Sequence, residues 1–282
     1  MAKYSEKLIY SKESPYHRVL VYEKGSVRTM RLGTGPNAGK QSCIDLKNLN
    51  KHLLEYTELV FAGLFYHPHP RRVLIIGLGG GVIPRQLHNS FPDTEMDIVD
   101  IDPEVFEAAK RFFFFVPTEE MHIHLTDGRL FVLQEADRNP GQSYDLIILD
   151  AFRSDNIPLH MVSREFIQQV KSILHSHGVV VANVLLGHRI FHSQIKTFQS
   201  VFDRCHVFIG RRAKNAIFIS SGPDVPDLTS GEVVERAAFL QKKYGFDFDL
   251  ISVARQFRPQ FRPKRGANIL TDGNLPFIRK SG

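Results

Sequence analysis

The stretch VLIIGLGGG at 73–81 constrains this chain more than any other, because few folds accommodate an apolar, β-branched run that ends in glycines. Val73 to Ile76 read as a buried strand. The glycines then turn the chain sharply and let its backbone come close to a ligand. Roughly twenty residues later a second apolar run, DIVDID, carries Asp100, at the spacing where a carboxylate meets a ribose diol. Together the two runs point to a nucleoside-bearing ligand in an α/β crevice rather than to a glycine turn in an arbitrary α/β protein. The same glycines exclude other ligands. Gly77-Leu78-Gly79-Gly80-Gly81 lacks the GK[ST] of a P-loop, and Val82 stands where the third glycine of a dinucleotide fingerprint belongs. Pro84 suits the first turn of a helix. A cofactor without a pyrophosphate, such as an S-adenosyl compound, fits this loop better than NAD.

Beyond residue 73 strands and helices alternate. Strands are predicted at 73–77, 95–101, 121–125, 144–149, 178–184, 205–209 and 215–220. Helices are predicted at 82–90, 103–113, 128–136, 163–174, 188–202 and 231–243. Such alternation implies a parallel sheet covered on both faces. Only GRRAKN separates the last two strands, which are expected to form an antiparallel hairpin at the sheet edge. Residues 1–45 alternate in short segments punctuated by Gly25 and GTGPNAG, a small antiparallel β-meander. KNLNKHLLEYTELVFAGLFY at 47–66 has helical spacing, and HPHPRR ends it. RFFFFV at 111–116 is read as core packing at a helix end. The expected α/β fold therefore resembles the mostly parallel Rossmann sheet of class I methyltransferases, preceded by a small β-meander. Three segments are expected: 1–66, meander plus helix; 67–225, the nucleoside-binding sheet; and 226–282, a helix and a basic tail.

Composition narrows the setting. The chain has 282 residues, 43% of them hydrophobic, which is ordinary for a globular protein. No apolar run approaches the length of a membrane span, and MAKYSEKLIYSKESPYH lacks the apolar core of a secretory signal. Cys43 and Cys205 form no metal-type cluster and suggest a reducing compartment, hence a cytoplasmic protein, with a single disulfide left open. Thirteen scattered histidines show no ligand spacing, so no metal is expected. The net charge is +6, and part of the excess lies in ARQFRPQFRPKRG at 254–266. Basic residues among aromatics can bind nucleic acid, although a solvated or partner-facing tail explains the segment more simply.

In an open α/β sheet the ligand lies beyond the carboxyl ends of the strands. There stand the loop Gly77 to Gly81, then Asp100, then Asp127-Gly128, then Asp150 closing YDLIILD. Asp127 is placed to accept from an adenine amino group, and Gly128 permits close approach. Each acid alone could be a helix cap or turn residue, a reading strongest for Asp127. Three at successive strand tips around one glycine loop favour a site.

The order GxGGG…DIDPEVFEAAKRFF…HLTDGRLFV…YDLIILDAF…SREFIQQVKSIL…GVVVANV resembles the spermidine/spermine synthase family of polyamine aminopropyltransferases over roughly residues 15–220. Asp100-Ile101-Asp102-Pro103-Glu104-Val105 matches the family's pattern at the second strand, and Asp127-Gly128 its D-G after the third. The resemblance implies that Asp150 is the catalytic aspartate and that Gln41, Gly77, Gly79, Gly80, Gly81, Asp100, Ile101, Asp127 and Gly128 hold the donor. Tyr56-Thr57-Glu58 matches a family Tyr-(His/Gln)-Glu with the middle residue changed, so that Tyr56 and Glu58 would meet the acceptor, with Asp155 beyond Asp150. It further implies decarboxylated S-adenosylmethionine as co-substrate with nothing tightly bound, an amine acceptor, and a homodimer or homotetramer. Two positions depart from the family. Gly80 replaces the loop acid that holds the donor's amino group, and Arg153 stands where a cationic polyamine would bind. These departures keep two alternatives open: a methyltransferase using intact S-adenosylmethionine, and a non-catalytic nucleoside- or nucleic-acid-binding protein of the same fold.

Overall fold

The computed structural model describes residues 5–33, 39–138, 144–151, 158–202, 204–212 and 214–275. The chain begins with an antiparallel sheet in the order β1 (Lys7–Glu13), β2 (Arg18–Lys24), β3 (Val27–Leu32) and β4 (Gly39–Asp45). Short helix α1 (Glu55–Leu59) and a 3-10 helix (Val60–Phe65) lead into the main sheet. There β5 (Arg72–Ile76), α2 (Val82–Ser90), β6 (Glu95–Asp100), α3 (Pro103–Phe113), β7 (Met121–Leu125), α4 (Gly128–Arg138), β8 (Tyr144–Leu149), α5 (Arg164–Ser172) and β9 (Leu174–Leu185) follow in turn. The chain continues as α6 (Phe191–Phe202), β10 (His206–Ile209), β11 (Asn215–Ser221), α7 (Ser230–Tyr244), α8 (Leu250–Ala254) and β12 (Phe257–Arg258).

The main sheet runs β12-β10-β11-β9-β8-β5-β6-β7. The five strands from β9 to β7 are parallel, whereas β11, β10 and β12 pair antiparallel. Period-two alternation divides β5 between two cores. Val73 and Ile75 face the layer holding α2, α7 and α8, while Leu74 and Ile76 face α4, α5 and α6. Strand order reverses between β5 and β8, which opens the crevice where ligands bind in such sheets. Among the described residues no helix is long and apolar enough to cross a membrane. Cys43 and Cys205 are both buried free thiols, so the disulfide left open by the sequence does not form.

Three expectations need correction. The helix expected over 47–66 is confined to its second half. Asp45 and Asn48 accept the backbone N–H groups of Lys47 and Asn50 at 3.1 and 3.0 Å, and these local turns compete with helix. The remainder tightens to 3-10 geometry where Gly63 lies against β9; a Cβ there would stand 2.5 Å from Val181 Cγ2. The RFFFFV run is only partly core. Phe113 and Phe115 are buried, but Phe114 is the left-handed cap of α3 at φ 54° and is exposed.

The segment at 254–266 does not begin as a solvated tail. Ala254, Gln256 and Phe257 are buried, and β12 pairs with β10, so the β10–β11 hairpin is not the sheet's outer edge. Phe257 stacks on Phe208 and His206 with ring centroids at 5.1 and 5.5 Å. Further on, Asp272 forms a two-pronged ion pair with Arg129 at 2.8 and 2.6 Å, and Leu270 and Leu275 pack on Val162 and Ile190. Phe257→Ala is expected to cost about 3 kcal/mol or more of unfolding free energy, read from urea denaturation. A loss under about 0.5 kcal/mol would return the segment to the surface.

Candidate active site

A cavity of about 770 Å³ opens at the carboxyl ends of β5, β6 and β8, within the size range of small-molecule sites. Its lining draws on both sheets and on the hairpin, including Tyr16, Gln41, Tyr56, Asp100, Asp150 and Asn215.

The glycine loop forms its floor. Gly77, Gly79 and Gly81 take left-handed φ values of 107°, 53° and 71°, which side chains other than glycine's resist. A Cβ on Gly77 would stand 2.6 Å from the backbone oxygen of Asp150, so the ends of β5 and β8 approach only because Gly77 has none. Gly77 and Gly79 line the cavity; Gly80 and Gly81 are absent from its lining and rest on Phe113 at the end of α3 and Phe115 just beyond it. A Cβ on Gly80 would fall 2.7 Å from both Phe113 Cδ1 and Ser42 Oγ. Both neighbours are buried, so the space an acid would occupy at position 80 is already filled.

Asp100 closes β6. Its carboxylate accepts the backbone N–H groups of Leu78 at 2.9 Å and Asp102 at 3.0 Å, pinning the strand tip to the loop. Burial raises its pKa to about 6 against the lowering pull of these amides, and the charge of Asp102 adds to the rise. Ile101 lines the wall beside it. Asp127 is a helix cap, as its sequence position suggested, and its second oxygen pairs with a histidine. One oxygen caps α4 by accepting from Arg129 N and Leu130 N at 2.9 and 3.0 Å, and the other meets His160 Nε2 at 2.8 Å. The His160 hydrogen bond, ahead of burial, holds its pKa below the ordinary carboxylate value. Gly128 packs against Ile76, where a Cβ would meet Cγ2 at 2.5 Å.

Asp150 extends from the tip of β8. Asn183 Nδ2 donates to its Oδ1 at 2.7 Å. Burial pushes its pKa to about 7, Asn183 pulls it down, and the charge of Asp100 pushes it up. Across the cavity the Tyr56 hydroxyl donates to the Gln41 backbone oxygen at 2.8 Å, and burial together with the Asp150 charge raises its pKa.

The acidic residue of α1 that lines the cavity is Glu55, one turn before the expected Glu58. Both Glu55 oxygens are occupied by the backbone N–H groups of Arg211 and Arg212, at 2.9 and 2.6 Å. Glu58 lies outside the lining and pairs with Arg212 at 3.3 Å. Asp155 and Arg153 fall outside the described residues. Asn183, Asn215 and His160 also belong to the site but were not apparent from the sequence; a polar residue inside the apolar run GVVVANV was the available signal for Asn183.

Two outcomes follow from this geometry. With Asp100 assigned to a ribose diol by the resemblance, Asp100→Ala would remove a charged acceptor worth about 1.5–3 kcal/mol, and 5′-methylthioadenosine is expected to bind about tenfold to a hundredfold more weakly by calorimetry. Unchanged affinity would remove Asp100 from the ribose site. The second concerns stability. Asp150 has a folded pKa near 7, above its ordinary value of 3.8, so the folded state holds a proton that the unfolded state releases between those pH values. Its contribution therefore falls as pH rises from about 4 to about 7. Asp150→Asn should match the wild type near pH 4 and exceed it at pH 8 by on the order of 1–3 kcal/mol in urea denaturation, a range reduced for solvent access to the cavity. Equal stability at both pH values would show that the carboxylate carries no such burial cost.

The spermine/spermidine synthase domain model matches residues 54–211. The polyamine aminopropyltransferase of Vibrio vulnificus is 34% identical over 222 residues, covering 78% of this chain and 74% of that protein. A probable spermidine synthase from Corynebacterium glutamicum shares the fold with a TM-score of 0.70 at 20% identity, covering 94% of this chain and 96% of that one. Human methyltransferase-like protein 13, solved in complex with SAH, has a TM-score of 0.62 at 27% identity over 68% of this chain and 93% of that one.

Proposed function

The chain belongs to the spermine/spermidine synthase family, and from that premise we propose that its cavity transfers an aminopropyl group from decarboxylated S-adenosylmethionine to an amine of the polyamine class. The enzyme is a transferase acting on an S-adenosyl-type nucleoside; the polyamine aminopropyltransferase relative and the SAH of the human neighbour support this.

The observation that carries the reading is Asp150, a cavity-lining carboxylate at the β5–β8 crevice with a pKa pushed to about 7. The acceptor's primary amine attacks the methylene carbon bonded to the sulfonium. The N–C bond forms, the C–S bond breaks with its electron pair passing to sulfur, and 5′-methylthioadenosine leaves as a neutral thioether. The amine must surrender a proton, and Asp150 takes it. A carboxylate titrating near neutrality is matched to that task. Its charge, with that of Asp100, also offsets the cationic donor and acceptor. In this assignment Asp100 holds the ribose diol, and Asp127 accepts from the adenine amino group through the one Oδ2 lone pair left by its cap and His160. Gln41, Gly77, Gly79, Ile101 and Gly128 complete the donor side, and Tyr56 closes the acceptor side. By the same resemblance the enzyme is a homodimer or homotetramer, and its cysteine usage supports a cytoplasmic setting.

The filled space beside Gly80 favours a second reading, methyl transfer from intact S-adenosylmethionine. With no acid there, nothing at that position selects the donor's amine over a carboxylate, which backbone N–H groups can hold.

Asp150→Asn should lose at least about a hundredfold in kcat while donor affinity stays nearly intact. The measurement is release of 5′-methylthioadenosine from the decarboxylated donor with putrescine or a longer amine, beside calorimetry with both donors. A wild type that transfers nothing to any polyamine but methylates another acceptor would replace aminopropyl transfer with methyl transfer.

A further inference from the structure

Asn183 lies within the valine-rich run of β9, opposite Ile217 of β11, and is only 4% exposed. An amide in such a strand costs stability unless both of its ends are satisfied. Here both are. Its Nδ2 donates to Asp150 Oδ1 at 2.7 Å, and its Oδ1 accepts Asn215 Nδ2 at 2.8 Å. Three neighbouring strands thus contribute to one directed chain, from β11 through β9 to the tip of β8.

We propose that Asn183 and Asn215 are positioning residues for Asp150, a two-amide relay that aims the carboxylate and keeps it able to accept the proton of the attacking amine. The direction of the relay is fixed by donor and acceptor chemistry. An ionised carboxylate only accepts, so the Asn183 NH₂ must face it, and the amide oxygen must then face the NH₂ of Asn215. An amide free to rotate could present its oxygen to the carboxylate and repel it; Asn215 prevents this rotation. Neither residue is asked to touch the reacting atoms.

The other charged and titratable groups around Asp150 do not substitute for this donor. Asp100 from β6 repels the carboxylate, and Tyr56 from α1 spends its hydroxyl on Gln41. Along the cavity wall, Asp127 is paired with His160 and Glu55 with the hairpin backbone, and Lys214, His188, Lys40, His17 and Tyr16 also line it. Among the described residues, Asn183 is the one side chain that donates a hydrogen bond to Asp150.

The inference rests on Asp150 as the base of the proposed reaction, so its test reads that carboxylate without turnover. Protein labelled with ¹³C at the aspartate carboxyls is titrated by NMR, with Asp150→Asn assigning the resonance. In Asn183→Ala the Asp150 titration should move up by about one pH unit or more, and in Asn215→Ala by less, in the same direction. If the wild type transfers aminopropyl groups, the acidic limb of kcat/KM should move with it. Asn183→Ala would then lose about fivefold at pH 7 and recover near pH 9. An unmoved Asp150 titration in a folded Asn183→Ala that still binds 5′-methylthioadenosine overturns the relay. Should Asn183→Ala fail to fold, an unmoved titration in Asn215→Ala overturns it equally. Failure of the wild type to transfer any aminopropyl group overturns the reaction assigned to Asp150 and leaves the NMR result standing.

Discussion

A Cβ on Gly77 would stand 2.6 Å from the backbone oxygen of Asp150, and the whole site depends on its absence. The Asp150 N–H donates to the Ile76 oxygen at 2.8 Å, so the β5–β8 pairing extends to the point where the chains part. From there one chain turns into the glycine loop and the other into the segment after β8. On the opposite side the Gly77 N–H donates to the Val99 oxygen at 2.8 Å, which draws Asp100 against the loop. Two carboxylates from different strands therefore reach one crevice as a consequence of backbone pairing. A side chain at 77 would separate β5 from β8 and relocate both.

This convergence carries an electrostatic cost. Asp100 and Asp150 are half-buried in one crevice, and their pKa values are raised to about 6 and about 7. Their environments differ. Asp100 is held by backbone amides, whose positions the fold dictates. Asp150 is held by a side-chain amide, which has more freedom and is itself anchored by a third strand. The first arrangement suits a residue that must stay still. The second suits one that exchanges a proton, because a single hydrogen bond leaves lone pairs open to a ligand. This difference in anchoring is what the proposed reaction requires, with one carboxylate binding and the other accepting a proton.

The sheet was legible in the sequence because its signals are local. β5 to β9 are apolar runs, several closed by Gly or Asp, and helices between them carry recognisable caps. Asp102 caps α3 ahead of Pro103, and Ser163 caps α5. Residues whose roles depend on distant partners were harder to read. Helical spacing could not reveal that Asp45 and Asn48 hold 47–50 in turns. Nor could it place Glu55 rather than Glu58 at the cavity, because that choice is made by the hairpin amides, 156 and 157 residues away. The basic segment looked soluble by composition. Its burial rests on one phenylalanine finding Phe208 and His206 on a strand that precedes it in the chain. Asn183 was visible only as an interruption in a valine run, without its partners.

Gly80 shows how the small N-terminal sheet bears on the nucleotide-type loop. Ser42 comes from β4 and Phe113 from the end of α3, and both press on the loop position where the resemblance implies an acid. The glycine and the phenylalanine therefore cannot be considered separately. An aspartate at 80 would need Phe113 to leave a core that also holds Val19, Met30, Ile44 and Val105. Restoring the acid alone would cost packing across the joint between the two sheets, and overpacking of that kind typically costs about 1–3 kcal/mol. The glycine at 80 is thus matched to the helix end and the meander that pack on it. In the proposed reaction any counter-charge for a donor amine would come from elsewhere on the cavity wall, and Asp150, where β5 and β8 part, is a carboxylate there held by a single side-chain hydrogen bond.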